Sequence, residues 1–391
     1  MKMKILLRLT ASAVLVVFTS GYVSFGQNYT QTNLVSNASG VAPVTDPTLV
    51  NPWGLSRSSS SAWWVSDNLT GLSTLYNGAG VKNSLIVTIP AATPGQNGAP
   101  ATGSPTGTIF NGSPTDFLLA SGDQAEFLFS TADGTIAGWN PAFALAAGQV
   151  PPSTHAVTVA KGAKGSSYTG LTSAFIDGKR YLYAANFTKG RVDVYDNAFH
   201  PLTLSNESFD QDRLAPESGP FEDDRLPSNF VPFNVQTIGN DIVVTYVLHQ
   251  EGAQFETDGP GLGYVDIFKS TGQLLLRLEH GDWLNAPWGV ALAPLDFGRF
   301  SHDLLVGQFA GGGTTESSGF VAAYDLATGK FDGLLQDATG KPIAINGIWA
   351  ISAGNASPGN YDPAAAPNHG SGGLFGHLTP VSTQLVQGND Q

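Results

Sequence analysis

Gly190-Arg191-Val192-Asp193-Val194-Tyr195 carries the reading of this chain. A glycine opens it, residues alternate, and an aromatic ring closes it five positions on. The alternation has period two, so Val192 and Val194 share one face of a strand and Asp193 takes the other. The pattern recurs at Gly71–Tyr76, Gly134–Trp139, Gly263–Phe268, Gly319–Tyr324 and Gly373–Leu378. Taken in chain order, the glycines are 63, 56, 73, 56 and 54 residues apart. Strand-built units repeated at such a period mark a β-propeller. Six copies predict an all-β, six-bladed propeller with four-stranded blades.

The flanks of each copy supply the other strands. Trp63-Trp64-Val65-Ser66, Glu126–Phe129, Tyr181–Ala184, Ile242–Thr245 and Leu304–Gly307 are β-branched, aromatic or aliphatic runs between turn residues. They read as strand B, and the glycine motifs as strand C. Strand A, the innermost, starts at Pro52-Trp53-Gly54-Leu55 and again at Pro287-Trp288-Gly289-Val290. Gly170-Leu171, Pro232-Phe233-Asn234-Val235 and Asn346-Gly347-Ile348-Trp349 are similar starts. A small residue there suits close backbone approach near a crowded axis. Strand D follows C, as in Leu85–Thr88 and Leu274–Arg277.

The sixth unit lacks a strand D, and Thr32-Asn33-Leu34-Val35 is placed to supply it, which would close the ring. Its strand B falls near Tyr361-Asp362-Pro363, where proline predicts irregular pairing.

The N-terminus begins Met1-Lys2-Met3-Lys4 and runs apolar from Leu9 to Phe18. That run is shorter than the about 20 residues a spanning helix needs, so residues 1–26 read as a signal peptide and 27–391 as one propeller domain. Secretion or release into a periplasm follows, with no transmembrane segment in the mature chain. There is no cysteine, which excludes disulfides and thiolate chemistry. The net charge of −13 argues against nucleic acid as a partner. A monomer is expected.

In such a ring the B–C and D–A loops share one face. The long connections 90–107, 206–231, 249–262 and 310–318 are all of these kinds, which points to that face for function. In one of them Phe209-Asp210-Gln211-Asp212-Arg213-Leu214 recurs as Phe221-Glu222-Asp223-Asp224-Arg225-Leu226. The spacing matches no calcium loop, and a tandem duplication in a solvated loop is the simpler reading.

No histidine pair has metal-ligand spacing, and there is no nucleophile elbow or phosphate loop. His249 and Glu251 are an acid/base pair on paper only. The candidates for a ligand at the channel mouth are Asn51, Trp53, Asp67, Asn68, Asn186, Asn234, Trp288, Gln308 and Asn346, at strand A starts and strand B ends. Converging amides and carboxylates between aromatic walls suit a small polar ligand, or one calcium or other divalent cation. Asx residues in turns also bond their own backbone, which is the structural alternative.

Asn33–Ser36, Asn51–Gly54, Gly134–Pro141, Pro260–Asp266, Asn285–Pro294 and Gly373–Gly376 together resemble a family of secreted bacterial six-bladed propellers of unknown function, related to NHL-repeat propellers. The resemblance spans nearly all of the mature chain. It implies an exported six-bladed ring and brings no catalytic residues. The function expected is a binding or scaffold module for a protein, glycan or small polar ligand. The alternative is a metal-dependent hydrolase or lyase of the gluconolactonase or streptogramin-lyase kind.

Overall fold

The computed structural model describes residues 28–93, 101–145, 148–204, 219–309, 319–353, 361–365 (backbone only) and 371–381. The expected signal peptide, the first copy of the acidic repeat and the 310–318 loop lie outside them.

The glycine motifs form the third strand of six antiparallel blades. The motif glycine has two physical causes. Gly71, Gly134 and Gly190 have φ of 70°, 75° and 63°, where a side chain would be strained. Gly263, Gly319 and Gly373 are instead hemmed in: a Cβ on Gly373 would lie 1.8 Å from the Leu49 carbonyl oxygen.

Blade 1 runs Pro52–Ser56, Trp63–Asp67, Leu72–Tyr76 and Val87–Thr88. Blade 2 runs Pro105–Phe110, Phe127–Thr131, Thr135–Trp139 and Val157–Lys161. Blade 3 holds Tyr168–Ile176, Lys179–Asn186, Arg191–Tyr195 and Pro201–Leu202. Blade 4 holds Phe230–Ile238, Asp241–Leu248, Gly263–Phe268 and Leu274–Arg277, and blade 5 Pro287–Leu292, Leu304–Gln308, Val321–Tyr324 and Phe331–Leu334.

Blade 6 takes Ile348–Ala353, Tyr361–Ala365 and Leu374–Pro380 from the C-terminal end and Tyr29–Ser36 from the N-terminal end. The ring therefore closes as expected. The Tyr29 hydroxyl donates to the Phe297 carbonyl at 2.9 Å, tying the closing strand to blade 5. The irregularity expected at Pro363 is not distinct: Tyr361–Ala365 pairs with Leu374–Pro380 without a register shift, and its one shift against the inner strand, between Ile348 and Ile351, has a counterpart in every blade.

Each inner strand opens with one extra residue against its partner. Pro52 pairs with Asp67 but Leu55 with Val65; Pro232 pairs with Tyr246 but Asn234 with Thr245. The same slip occurs in blades 2, 3, 5 and 6. A bulge of this kind re-aims side chains and sharpens the local bend. Here it falls at Trp53, Thr106, Thr169, Phe233, Trp288 and Trp349, each followed by Gly54, Gly107, Gly170, Asn234, Gly289 or Ala350. These small residues let the inner strands touch. A Cβ on Gly107 would lie 2.5 Å from the Leu171 nitrogen, and one on Gly289 2.3 Å from the Trp349 carbonyl oxygen.

Two sequence readings shift in register. The segment 90–107 is not all connection, because blade 2 begins at Pro105. The last inner strand begins at Ile348, two residues past Asn346.

Six apolar clusters fill the spaces between neighbouring blades, and a seventh sits on the axis. The second acidic repeat is part of one of them. Phe221 is buried against Tyr183 and Phe268, its nitrogen donates to the Gly272 carbonyl at 2.9 Å, and Arg277 grips Asp223. Gly272 lies in the C–D turn of blade 4. The described part of this connection thus leaves the expected face and wedges between blades 3 and 4. The opposite face also carries sizeable connections, at 111–126 and 293–303.

Candidate functional site

The channel has two mouths of different chemistry. At the strand A starts, rings from four blades meet across the axis. Trp53 of blade 1 stacks on Trp349 of blade 6, centroids 3.5 Å apart and planes 17° off parallel. Trp53 also meets Trp288 edge-on at 6.1 Å and Phe233, from the facing blade 4, at 6.3 Å. Such geometries are favourable for aromatic pairs. Trp288, Trp349 and Phe233 are buried, so this end is closed by indole and phenyl rings.

Most of the polar residues expected to line that mouth bond within the protein. The Trp349 Nε1 donates to Asn51 Oδ1 at 3.1 Å, Asn51 Nδ2 to Asn68 Oδ1 at 3.2 Å, and Asn68 Nδ2 to the Pro105 carbonyl at 3.2 Å. This relay ties blades 6, 1 and 2. Asn234 Nδ2 donates to the Trp288 carbonyl at 2.7 Å, and Trp288 Nε1 to the Thr169 carbonyl at 2.9 Å. Gln308 Oε1 accepts from the Asn285 nitrogen at 3.0 Å. Asn186 Nδ2 donates to Ser166 Oγ and Asp193 Oδ2, at 2.9 and 2.7 Å. Asn346 is exposed.

Asp67 does not face the channel mouth. Its Oδ2 accepts from the Thr74 hydroxyl and nitrogen at 2.7 and 3.1 Å, beside the core between blades 6 and 1. Complete burial pushes its carboxyl well above the ordinary carboxylate range, against the lowering effect of the Thr74 hydrogen bonds. His249 and Glu251 do not pair: the His249 ring lies 4.3 Å from Phe187 and its Nε2 bonds the Ala253 carbonyl, while Glu251 is exposed.

Below the rings the channel narrows. A void of about 20 Å³ between Gly54, Gly107, Asn234 and Gly289 has room for about one water. It then opens at the strand A ends into a cup of about 550 Å³. Five inner strands line it, with Ser56, Thr108, Thr172, Ser173, Gln236 and Ser352 as its polar groups. Arg57, Ser58 and Ser59 form one wall, and Leu55, Ile109 and Phe110 give apolar patches.

None of the nine candidate residues lines the cup. A signal for it exists in the sequence. Two positions beyond the axial small residue stand Ser56, Thr172, Gln236 and Ser352 in four of the six blades. In a strand, i and i+2 share a face, so these residues follow the small residue toward the axis.

Among the described residues, no group of three or more His, Asp or Glu side chains is placed to hold a metal ion. None of their helices is long and apolar enough to cross a membrane.

No protein-family model matches the chain. Its similar curated relatives are uncharacterized proteins of Acanthamoeba polyphaga mimivirus. One is 28% identical over 68% of this chain and 45% of its own length, so the chain spans under half of that relative. Two others are 27% identical, over 82% and 90% of this chain and 72% and 86% of their own lengths. These relatives are viral, whereas the resemblance above pointed to bacterial proteins.

Among solved structures, a protein of unknown function from Bacteroides thetaiotaomicron aligns with a TM-score of 0.51 at 11% identity, covering 91% of this chain and 76% of the other. The Escherichia coli soluble aldose sugar dehydrogenase, apo form, aligns with a TM-score of 0.51 at 12% identity, covering 90% and 100%. A streptogramin B lyase covers 91% and 98% at 11% identity, with a TM-score of 0.43. For the two structures at a TM-score of 0.51, the likeness at these identities is one of fold.

Proposed function

We propose that this protein is an exported binding module whose ligand is a small, hydroxyl-rich molecule held in the cup at the strand A ends. The observation that carries the reading is the contrast between the mouths. One is filled with rings whose neighbouring amides are bonded inside the protein. The other is an open cavity of about 550 Å³ lined by seven serines and threonines, Gln236 and Arg57, with apolar patches at Leu55, Ile109 and Phe110. Its volume falls in the about 300–1,000 Å³ usual for small-molecule sites. Export rests on the leader-like start of the sequence.

The hydrolase or lyase alternative needs a converging donor set, and the described residues offer none. Binding in the cup calls on no calcium or other divalent cation, so a chelator leaves it unchanged.

Saturation-transfer NMR with methyl glucoside tests this reading. Transfer is expected in the wild type, lost in Ser352→Trp, which fills the cup, and retained in Asn346→Trp on the opposite face. Loss in Asn346→Trp with retention in Ser352→Trp would return the site to the ring-filled mouth.

A further inference from the structure

Leu55, Thr108 and Gln236 line both the cup and the void of about 20 Å³ beneath it, so these three residues form the neck between them. They stand on three separate walls. Leu55 comes from blade 1, Thr108 from blade 2 and Gln236 from blade 4. Gln236 lies two residues past Asn234 on one strand, so both point toward the axis.

The polar groups of the cup differ in what they have left to offer. The Thr172 and Thr237 hydroxyls bond at 2.8 Å, and because Thr237 Oγ1 also donates to the Ser173 carbonyl, Thr172 is the donor of that pair. Ser173 Oγ accepts from Arg180, and Ser58 Oγ accepts from the nitrogens of Ser60 and Ser61. Gln236 is different. Among the described residues its side-chain amide makes no hydrogen bond, and neither of its polar atoms is sealed from water. An amide has two hydrogens to donate and an oxygen to accept. A ligand that closes over it without meeting these groups leaves them buried and unpaired, which costs affinity. The Thr108 hydroxyl donates to the Leu128 carbonyl at 3.2 Å, so what it has left is an acceptor oxygen. The neck thus offers a donor on one wall, an acceptor on a second and an apolar surface on a third.

We propose that the neck reads an acetamido group, so that the cup selects an N-acetylated sugar over the plain one. The acetamido carbonyl accepts from Gln236, its N–H donates to the Thr108 oxygen, and its methyl packs on Leu55. The N–H and C=O of a trans amide point to opposite sides, which suits partners on separate walls. A sugar hydroxyl at the same place meets Gln236 but leaves Leu55 without an apolar partner. Resting on the binding reading above, the inference names the ligand class and Gln236 as the residue that selects it.

Isothermal titration with methyl N-acetylglucosaminide and methyl glucoside, which differ at one ring position, decides it. The wild type is expected to prefer the N-acetylated sugar by roughly tenfold, the factor that two net hydrogen bonds of ordinary strength supply. Gln236→Leu is expected to bring the two sugars to parity, and Thr108→Val to remove part of the preference. Should Gln236→Leu fail to fold, saturation-transfer NMR on the wild type still serves, because the acetamido methyl, as the deepest group, must receive the strongest transfer. Weakest transfer at that methyl overturns the inference. Equal affinity for both sugars in the wild type also overturns it and leaves the cup as a binding site. A preference that survives in folded Gln236→Leu overturns the role of Gln236. Absence of binding by either sugar overturns both the inference and the reading beneath it.

Discussion

Trp349 of the last blade donates its indole N–H to Asn51 of the first, at 3.1 Å, while its ring stacks on the neighbouring Trp53. One side chain thus joins the axial plug to the amide relay and spans the seam where the ring closes. Trp349→Ala removes both. A buried aromatic cut to alanine costs about 3–5 kcal/mol, and the orphaned Asn51 carbonyl adds to it. Denaturant unfolding followed by tryptophan fluorescence should show a loss of that size. Trp349→Phe should recover most of the packing but not the hydrogen bond.

The inner strands touch through their small residues, and this sets a second expectation. A Cβ on Gly170 would lie 2.1 Å from Asn234 Oδ1 and 2.9 Å from Asn234 Cα. Gly170→Ala must push blade 3 from blade 4 and is expected to leave the protein insoluble or strongly destabilised. Gly178, in a hairpin turn with φ of 75°, has nothing within 4 Å of the same Cβ. Gly178→Ala should cost only about 1 kcal/mol, the strain of its backbone. Paired thermal melts of the two variants separate crowding at the axis from turn strain.

The blade count and the ring closure were legible because period-two alternation and turn glycines are local signals. The bulge at each strand A start was half legible. Trp53, Phe233 and Trp288 stand out beside proline, but blade 2 carries Thr106 at that place, so Pro105-Thr106-Gly107 looks like loop. The nine site candidates are polar and aromatic residues near a mouth. That logic finds Asn51, Asn68 and Asn234, but a sequence does not reveal that their amides are already committed to Trp349, Pro105 and Trp288. The cup is not legible in the sequence because serines such as Ser56 and Ser352 carry no signal singly. They become a site when five strand ends converge. The second copy of the acidic segment is solvated at Glu222, Asp224 and Arg225 but not throughout. Its charge suggested a solvated loop, yet Phe221 buries and Asp223 is inaccessible.

That wedge carries a pH signature. Asp266 is buried, and its burial, followed by the neighbouring Asp223 carboxylate, pushes its carboxyl up to about 8. Arg277 holds Asp223 below its ordinary value, against the opposing effect of burial. A carboxyl raised in the folded state gives stability that is full below the unfolded value of 3.8 and is lost as pH rises toward about 8. Asp223, depressed, acts oppositely and gives stability lost as pH falls below 3.8. Asp266→Asn should flatten the decline between pH 4 and 8 and stabilise the protein at pH 8 by roughly 1–3 kcal/mol. Unfolding curves across that range check it; a slope unchanged by the substitution would show that Asp266 does not titrate there.

The chain has no cysteine, so a single engineered thiol reports on one place alone. Ser352→Cys puts it in the cup and Asn346→Cys at the opposite mouth, and maleimide labelling rates are read with and without saturating methyl glucoside. The account predicts protection at position 352 and none at position 346. Protection at 346 with free labelling at 352 would contradict it.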